Sequence, residues 1–119
     1  MLEVAGDIWV KGNSSKFKQA FINMIKNSIE SLGEDGSIHI TAYAKGEKVF
    51  IHIKDNGAGM DPWVLSRLGE PYFSSNKIKG TGLGLMVTFR IIETMGGEVR
   101  FISRKGAGTE SITILPSDL

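Results

Sequence analysis

Tight glycine clusters limit most what this chain can fold into. Nine of its 15 glycines fall in four groups: Gly57/Gly59, Gly80/Gly82/Gly84, Gly96/Gly97 and Gly106/Gly108. Glycine usage of 15 in 119 residues exceeds the ordinary level of about 7%. Disorder would scatter glycine among Ser, Pro and Gln, and that pattern is absent, so the groups read as shaped loops between regular elements. The stretch KGTGLGLM, Lys79–Met86, is the most demanding of them. Its three glycines alternate where an apolar helical run begins, although each glycine costs a helix interior about 1 kcal/mol relative to alanine. Either this is a loose connector, or something approaches the backbone closely there.

Between the loops, periodicity separates helices from strands. DIWV (Asp7–Val10) reads as a short first strand, and GNSS (Gly12–Ser15) supplies helix-capping residues. Phe17, Ala20, Phe21, Met24, Ile25, Ile29 and Leu32 recur every three or four residues, the spacing of an amphipathic helix, with Gly33 and Gly36 beyond its end. Residues 37–44 alternate, as do residues 49–55, and Lys45–Lys48 forms the hairpin turn between them. Asp61 caps and Pro62 opens a short helix to about Leu68, and Gly69–Gly80 reads as a long loop. A second long helix runs from about Gly82 to Met95, apolar nearly all round and so mostly buried, and is stopped by Gly96-Gly97. EVRFIS and ESITIL close the chain as a hairpin around RKGAG. Strands at both ends and helices between predict a single α+β domain over residues 1–119, a two-layer α/β sandwich with a mixed, largely antiparallel sheet of about five strands on three helices.

Composition excludes several classes of function. The chain has no cysteine, so it has neither a disulfide framework nor thiolate chemistry. With 14 basic and 13 acidic residues and no long charge block, it carries no nucleic-acid or membrane-surface footprint. No apolar run approaches the roughly 18 residues of a membrane span, and no signal peptide opens the chain. The abrupt N-terminus fits a fragment of something longer. His39 and His52 lie opposite the isoleucines of their strands and lack metal-ligand partners, which marks them as surface or cross-strand residues.

Four places carry candidate chemistry. Gln19, Asn23 and Asn27 form a stripe along the first helix, with Asn27 about 20° from Ala20 around the axis. An amide there can bind a hard cation or a phosphate oxygen, or merely meet water. Asp55 ends a strand and precedes Asn56-Gly57-Ala58-Gly59. A carboxylate so placed can accept from the amino group of a base, and glycines let a flat ring lie on the backbone, yet alone Asp-Asn-Gly reads as a turn. Thr81–Gly84 would open a helix with free amide donors suited to an anion, or form a hinge. The spacing there is neither that of a dinucleotide fold nor that of a P-loop. Thr109 begins the last strand, where its hydroxyl either supports the Asp55 pocket or is simply a strand former.

Taken in order, these stretches resemble one family. QAFINMIKNSIES (19–31), DNGAGM (55–60), PYFSS (71–75) and GTGLGL (80–85) look like the N box, first glycine box, F box and second glycine box of the catalytic ATP-binding domain of bacterial sensor histidine kinases, within the wider Bergerat-fold ATPases. GAGTESITILP is similar to the final hairpin of these domains, and GLGLMVTFRIIETMGG looks most like the sporulation-type kinases. The resemblance runs from about Asp7 to Pro116.

By position, the resemblance implies that Asn27 ligates the Mg²⁺ bridging the ATP phosphates. Asn23 stands where the directly hydrolysing relatives usually carry a glutamate base. An amide cannot take a proton from water, which implies transfer to an outside acceptor. Asp55 would hold the adenine amino group, lined by Gly57, Gly59 and Thr109. Gly80, Thr81, Gly82, Leu83 and Gly84 would place backbone amides near the phosphates, and residues 69–81 would be the lid. Tyr72 and Phe73 would dock on the helical dimerisation domain whose histidine accepts the γ-phosphate, with a response regulator downstream. Many members carry lysine or arginine where this chain has Glu30, which leaves that phosphate contact to Lys77 or Lys79. Many also read Thr-Lys after the F-box aromatic, where this chain has Ser75-Asn76 and its lysine one residue later. The resemblance implies a cytoplasmic, monomeric domain with no membrane contact of its own, whether or not its parent is membrane-anchored. Two rivals remain open: an anti-sigma-type serine kinase on the same fold, and a non-catalytic nucleotide-dependent switch.

Overall fold

The computed structural model describes residues 2–5, 10, 12–68 and 84–118. In chain order these form β1 (Leu2–Ala5), α1 (Ser14–Glu30), β2 (Ile38–Lys45), β3 (Lys48–Asp55), α2 (Pro62–Ser66), α3 (Gly84–Thr94), β4 (Glu98–Ser103) and β5 (Thr109–Pro116). The five strands make one sheet in the order β1-β2-β3-β5-β4. β1 runs parallel to β2, and every other pairing is antiparallel. The architecture is the predicted mixed, largely antiparallel α+β arrangement. The first strand, however, is Leu2–Ala5 and not the expected Asp7–Val10. Its place is decided by pairing with β2, Leu2 opposite Ile40 and Val4 opposite Ala42. Val10 is instead a partly buried residue packed against the core, and residues 7–9 of the expected strand lie outside the described residues.

Helix α1 starts where its capping chemistry says it should. The Asn13 side chain accepts from the backbone N–H of Lys16 at 3.1 Å, which satisfies one of the orphan donors of the first turn. Its buried line is Ala20, Met24 and Ser28, one residue per turn. That line turns Ile29 to the far side, where it is 55% exposed, contrary to its predicted place on the inward face. Helix α3 buries Thr88, Ile91 and Ile92 but exposes Arg90, Glu93 and Thr94, so it is less enclosed than its apolar content predicts. The expected start at Gly82 falls outside the described residues. Gly96, at φ 82°, ends it in the left-handed region, and the Gly97 N–H returns to the Ile92 carbonyl at 2.9 Å.

Both long helices pack on one face of the sheet. Ala20 meets Ile91, Ile92 and Leu115, with Phe17, Ile51, Val87 and Val99 closing around them. Enclosing a side chain such as Ile92 fully stabilises the fold by roughly 1.5–3 kcal/mol. Val49 and Ile53 of β3 are buried beneath this layer, as their alternation predicts. The other face of the sheet carries Tyr43, His52 and Glu110. There His52 lies 3.0 Å from the Tyr43 hydroxyl through Nε2 and 3.2 Å from Glu110 through Nδ1, a cross-strand role like the one predicted for it. The short α2 is capped by Asp61, whose carboxylate accepts from the Val64 N–H at 2.9 Å, and Pro62 opens it.

Candidate functional site

Asp55 ends β3 with its side chain only 4% exposed. Its Oδ1 accepts from the backbone N–H of Gly57 at 2.9 Å and from that of Thr109 at 3.2 Å. The Ser31 hydroxyl is a further 3.5 Å away, but its single proton serves the nearer Ser28 carbonyl at 2.8 Å. Two main-chain donors therefore pin one carboxylate oxygen. The other, Oδ2, has no donor among the described residues. The Asp55–Gly57 bond is the turn that Asp-Asn-Gly predicts, and the turn orients the carboxylate. Asn56 adds to it, accepting from the Ser37 N–H at 2.7 Å and donating to the Asp35 carbonyl at 3.3 Å.

The glycines around Asp55 are needed first by the protein itself. A Cβ on Gly57 would strike the Ser31 carbonyl, one on Gly59 the Arg104 carbonyl, and one on Gly108 the carbonyl of Asp55. These approaches lay the 56–60 loop against the end of α1 and against the β4–β5 turn. The Ala58 N–H donates to the Ser31 carbonyl at 3.0 Å, and the Gly106 N–H to the Ala58 carbonyl at 2.6 Å. A side chain at any of these three positions would collide with main chain, so packing within the protein alone is enough to require glycine there.

Along α1 and into its C-cap, Asn23, Asn27 and Ser31 follow one another at one residue per turn, about 12 Å from end to end at 1.5 Å per residue. At one end, Asn23 Nδ2 donates to the Gly84 carbonyl at 3.2 Å. At the other, Ser31 meets the loop that holds Asp55. Asn27 lies between them, half-buried, and its amide makes no hydrogen bond among the described residues. Gln19, one turn before Asn23, is exposed. Gly84 is the exposed first residue of α3, and a Cβ there would find only Asn23 Cγ at 3.8 Å, an ordinary contact. Among the described residues, nothing in the protein requires glycine at 84. Lys77, Lys79, Gly80, Thr81, Gly82 and Leu83, together with Tyr72, Phe73 and the expected lid at 69–81, lie outside the described residues.

Two residues that the sequence reading did not single out belong to this constellation. Ser31 touches both the Asp55 carboxylate and, through its carbonyl, the glycine loop. Ser103 accepts from the Met60 N–H at 2.8 Å and lies 2.8 Å from Thr109 Oγ1. The signal for Ser103 was its place after Val99 and Phe101, a polar residue at the third inward position of an alternating strand. No cluster of three or more His, Cys, Asp or Glu among the described residues can hold a metal. A cation here would take most of its ligands from phosphate and water, which is the habit of Mg²⁺.

Residues 12–119 match the family model described as histidine kinase-, DNA gyrase B- and HSP90-like ATPase. The chain is 47% identical over 118 residues to sporulation kinase B of Bacillus subtilis, which covers 98% of this chain and 27% of that protein. It is 43% identical over 102 residues to sporulation kinase A of the same organism, covering 86% and 17%. Among solved structures, the catalytic domain of histidine kinase ThkA superposes with a TM-score of 0.84 at 31% identity, over 97% of this chain and 76% of that one. The mycobacterial sensor histidine kinase MprB gives 0.85 at 26% identity, over 98% and 80%. Fold and family match together define an ATPase domain: the chain belongs to the histidine kinase-, DNA gyrase B- and HSP90-like ATPase family. Within that family it is a catalytic domain of the sensor histidine kinase kind, and it spans between 17% and 27% of the two sporulation kinases. Among the described residues, no helix is long and apolar enough to cross a membrane.

Proposed function

We propose that this domain binds Mg·ATP and presents the γ-phosphate to a histidine on a separate helical dimerisation domain, as part of a two-component sensor kinase. The observation that carries the reading is the line Asn23–Asn27–Ser31. It runs from the first residue of α3 to the Asp55 carboxylate, and at its middle stands an amide with no hydrogen bond among the described residues. A buried carboxylate with one oxygen held internally suits the amino group of a base at one end. A glycine with no steric duty at the start of a helix suits phosphate at the other. Asn27 would contribute its carbonyl oxygen to Mg²⁺, and Asp55, with Gly57, Gly59 and Thr109 around it, would hold adenine. The solved structure of full-length ShkA, 26% identical with a TM-score of 0.81, is a complex with AMPPNP, which supports adenine nucleotide as the ligand class.

This domain would work by positioning and charge neutralisation. Asn23 fits that role, since an amide committed to the Gly84 carbonyl is no general base. Calorimetry with ATP, with and without Mg²⁺, tests the binding step. Heat of binding that strengthens with Mg²⁺ is the expected result, and no heat from a folded sample refutes the reading. Joining the domain to a phosphoacceptor helical domain with labelled ATP tests the transfer. Acid-labile label is expected, acid-stable label indicates a serine kinase, and no label on protein indicates a switch.

A further inference from the structure

Asp55, Thr109 and Ser103 lie directly opposite one another on β3, β5 and β4, so their side chains form a row across three strands. Ser103 Oγ touches three polar groups: Met60 N at 2.8 Å, Gly108 O at 3.0 Å and Thr109 Oγ1 at 2.8 Å. A hydroxyl has one proton and two lone pairs. The Met60 N–H can only donate, so it occupies one lone pair. The Gly108 carbonyl can only accept, so it takes the proton. The remaining contact then closes in one direction alone, with Thr109 donating into the second lone pair of Ser103. Thr109 has no proton left to offer elsewhere, and its Oγ1 presents lone pairs only. Beside it, Oδ1 of Asp55 is already filled by the Gly57 and Thr109 N–H groups, and the carboxylate's other oxygen is also an acceptor.

We propose that Ser103 is a specificity-determining positioning residue of the nucleotide site. By drawing the Thr109 proton away from the pocket, it leaves acceptors alone beside Asp55 and so selects a purine bearing an amino group at position six over one bearing a carbonyl there. The inference rests on the proposed role of Asp55 as the base-binding carboxylate. An amino group brings N–H donors to these acceptors. A 6-oxopurine puts lone pairs against lone pairs at position six and keeps its one nearby donor on ring N1, so the acceptor facing position six stays unpaired, and a site that leaves buried polar groups unpaired discriminates strongly. Without the Ser103 hydroxyl, the Thr109 proton is free to turn and serve the carbonyl of a 6-oxopurine.

The test is the ratio of Kd values for ATP and ITP, measured by calorimetry on the 119-residue chain with Mg²⁺. The wild-type chain prefers ATP. Ser103→Ala narrows that preference by about five- to tenfold, the range of one net hydrogen bond, mainly through tighter ITP binding. Ser103→Thr keeps a hydroxyl and keeps the wild-type ratio. In a Thr109→Val background there is no proton to redirect, so adding Ser103→Ala leaves the ratio of Thr109→Val unchanged. Ser103→Cys, which fills the same space with a poor acceptor, gives the same readout as alanine if the alanine variant does not fold. An unchanged ratio in Ser103→Ala or Ser103→Cys, or a shift that persists in the Thr109→Val background, overturns the inference while ATP binding itself stands. A folded wild-type chain that binds neither nucleotide overturns both the inference and the reading beneath it.

Discussion

The side-chain amide of Asn23 donates to the main-chain carbonyl of Gly84 at 3.2 Å and so ties the middle of α1 to the first residue of α3. The same carbonyl accepts from the Thr88 hydroxyl at 2.9 Å, and that hydroxyl lies 3.4 Å from the Ala20 carbonyl on α1. The two helices are thus joined by polar contacts above the apolar layer that packs them. An apolar interface alone permits sliding; directed bonds fix which residues face each other.

Asn23→Ala removes one of these bonds and is expected to lower stability by about 0.5–1.5 kcal/mol. In urea the midpoint should fall with the slope unchanged, and amide exchange should quicken at the start of α3 more than in β3. Asn23→Asp sets a carboxylate against a carbonyl oxygen and should cost more than alanine. Equal stability of all three proteins would show that the bond contributes nothing.

At Asp55 two substitutions separate folding from binding. Asp55→Asn keeps an oxygen for the Gly57 and Thr109 N–H groups and turns the outward acceptor into a donor. It should fold nearly as well as wild type, with ATP affinity reduced more than about tenfold by the loss of a charge-assisted bond. Asp55→Ala leaves those two donors without their acceptor and should destabilise by about 1–3 kcal/mol for each group left unsatisfied. Denaturation and calorimetry on the same samples distinguish the two losses.

Much of this layout was legible from local pattern because local forces set it. The alternation of Val49, Ile51 and Ile53, the caps at Asn13 and Asp61, and the stop at Gly96 each depend on residues only a few positions apart. Leu2–Ala5 escapes a local reading because a four-residue run becomes a strand only through its pairing with β2, about 38 positions along the chain, Leu2 opposite Ile40. Ile29 was misplaced because a helical repeat of three or four admits neighbouring arcs, and the observed arc passes through Ser28. Thr88 is fully buried because its hydroxyl serves the Gly84 carbonyl one turn back and lies 3.4 Å from the Ala20 carbonyl of α1, a neighbour that no window of sequence contains. In the site, Asp55 and Thr109 were legible from their places at strand ends. Ser31 and Ser103 were not, since their importance depends on register across strands and on which way a hydroxyl points.

Asn27 is the converse of Asn23. Its amide makes no hydrogen bond among the described residues, so Asn27→Ala leaves no partner unsatisfied there and should change stability by less than about 1 kcal/mol. ATP affinity measured with Mg²⁺ should nevertheless fall by about tenfold or more, and affinity measured in EDTA should change little, because a metal ligand matters only when the metal is present. Equal losses with and without Mg²⁺ would assign Asn27 to the nucleotide and not to the ion.

The glycines of the β4–β5 turn separate backbone conformation from crowding. Gly106 and Gly108 have nearly the same φ, 83° and 85°, in the region that side-chain-bearing residues rarely adopt. A Cβ on Gly106 meets nothing within 4 Å, whereas one on Gly108 runs into the carbonyl of Asp55. Gly106→Ala therefore incurs the conformational term alone, about 1–2 kcal/mol. Gly108→Ala adds a collision that only movement of β3 away from β5 relieves, and that movement drags Asp55 from the Thr109 N–H. The expected outcome is a loss at Gly108 clearly larger than at Gly106, with weakened ATP binding in whatever Gly108→Ala protein remains folded. Gly106→Ala should bind ATP as wild type does. Equal melting temperatures and equal affinities for the two variants would mean that the close approach of Gly108 to Asp55 does not shape the pocket.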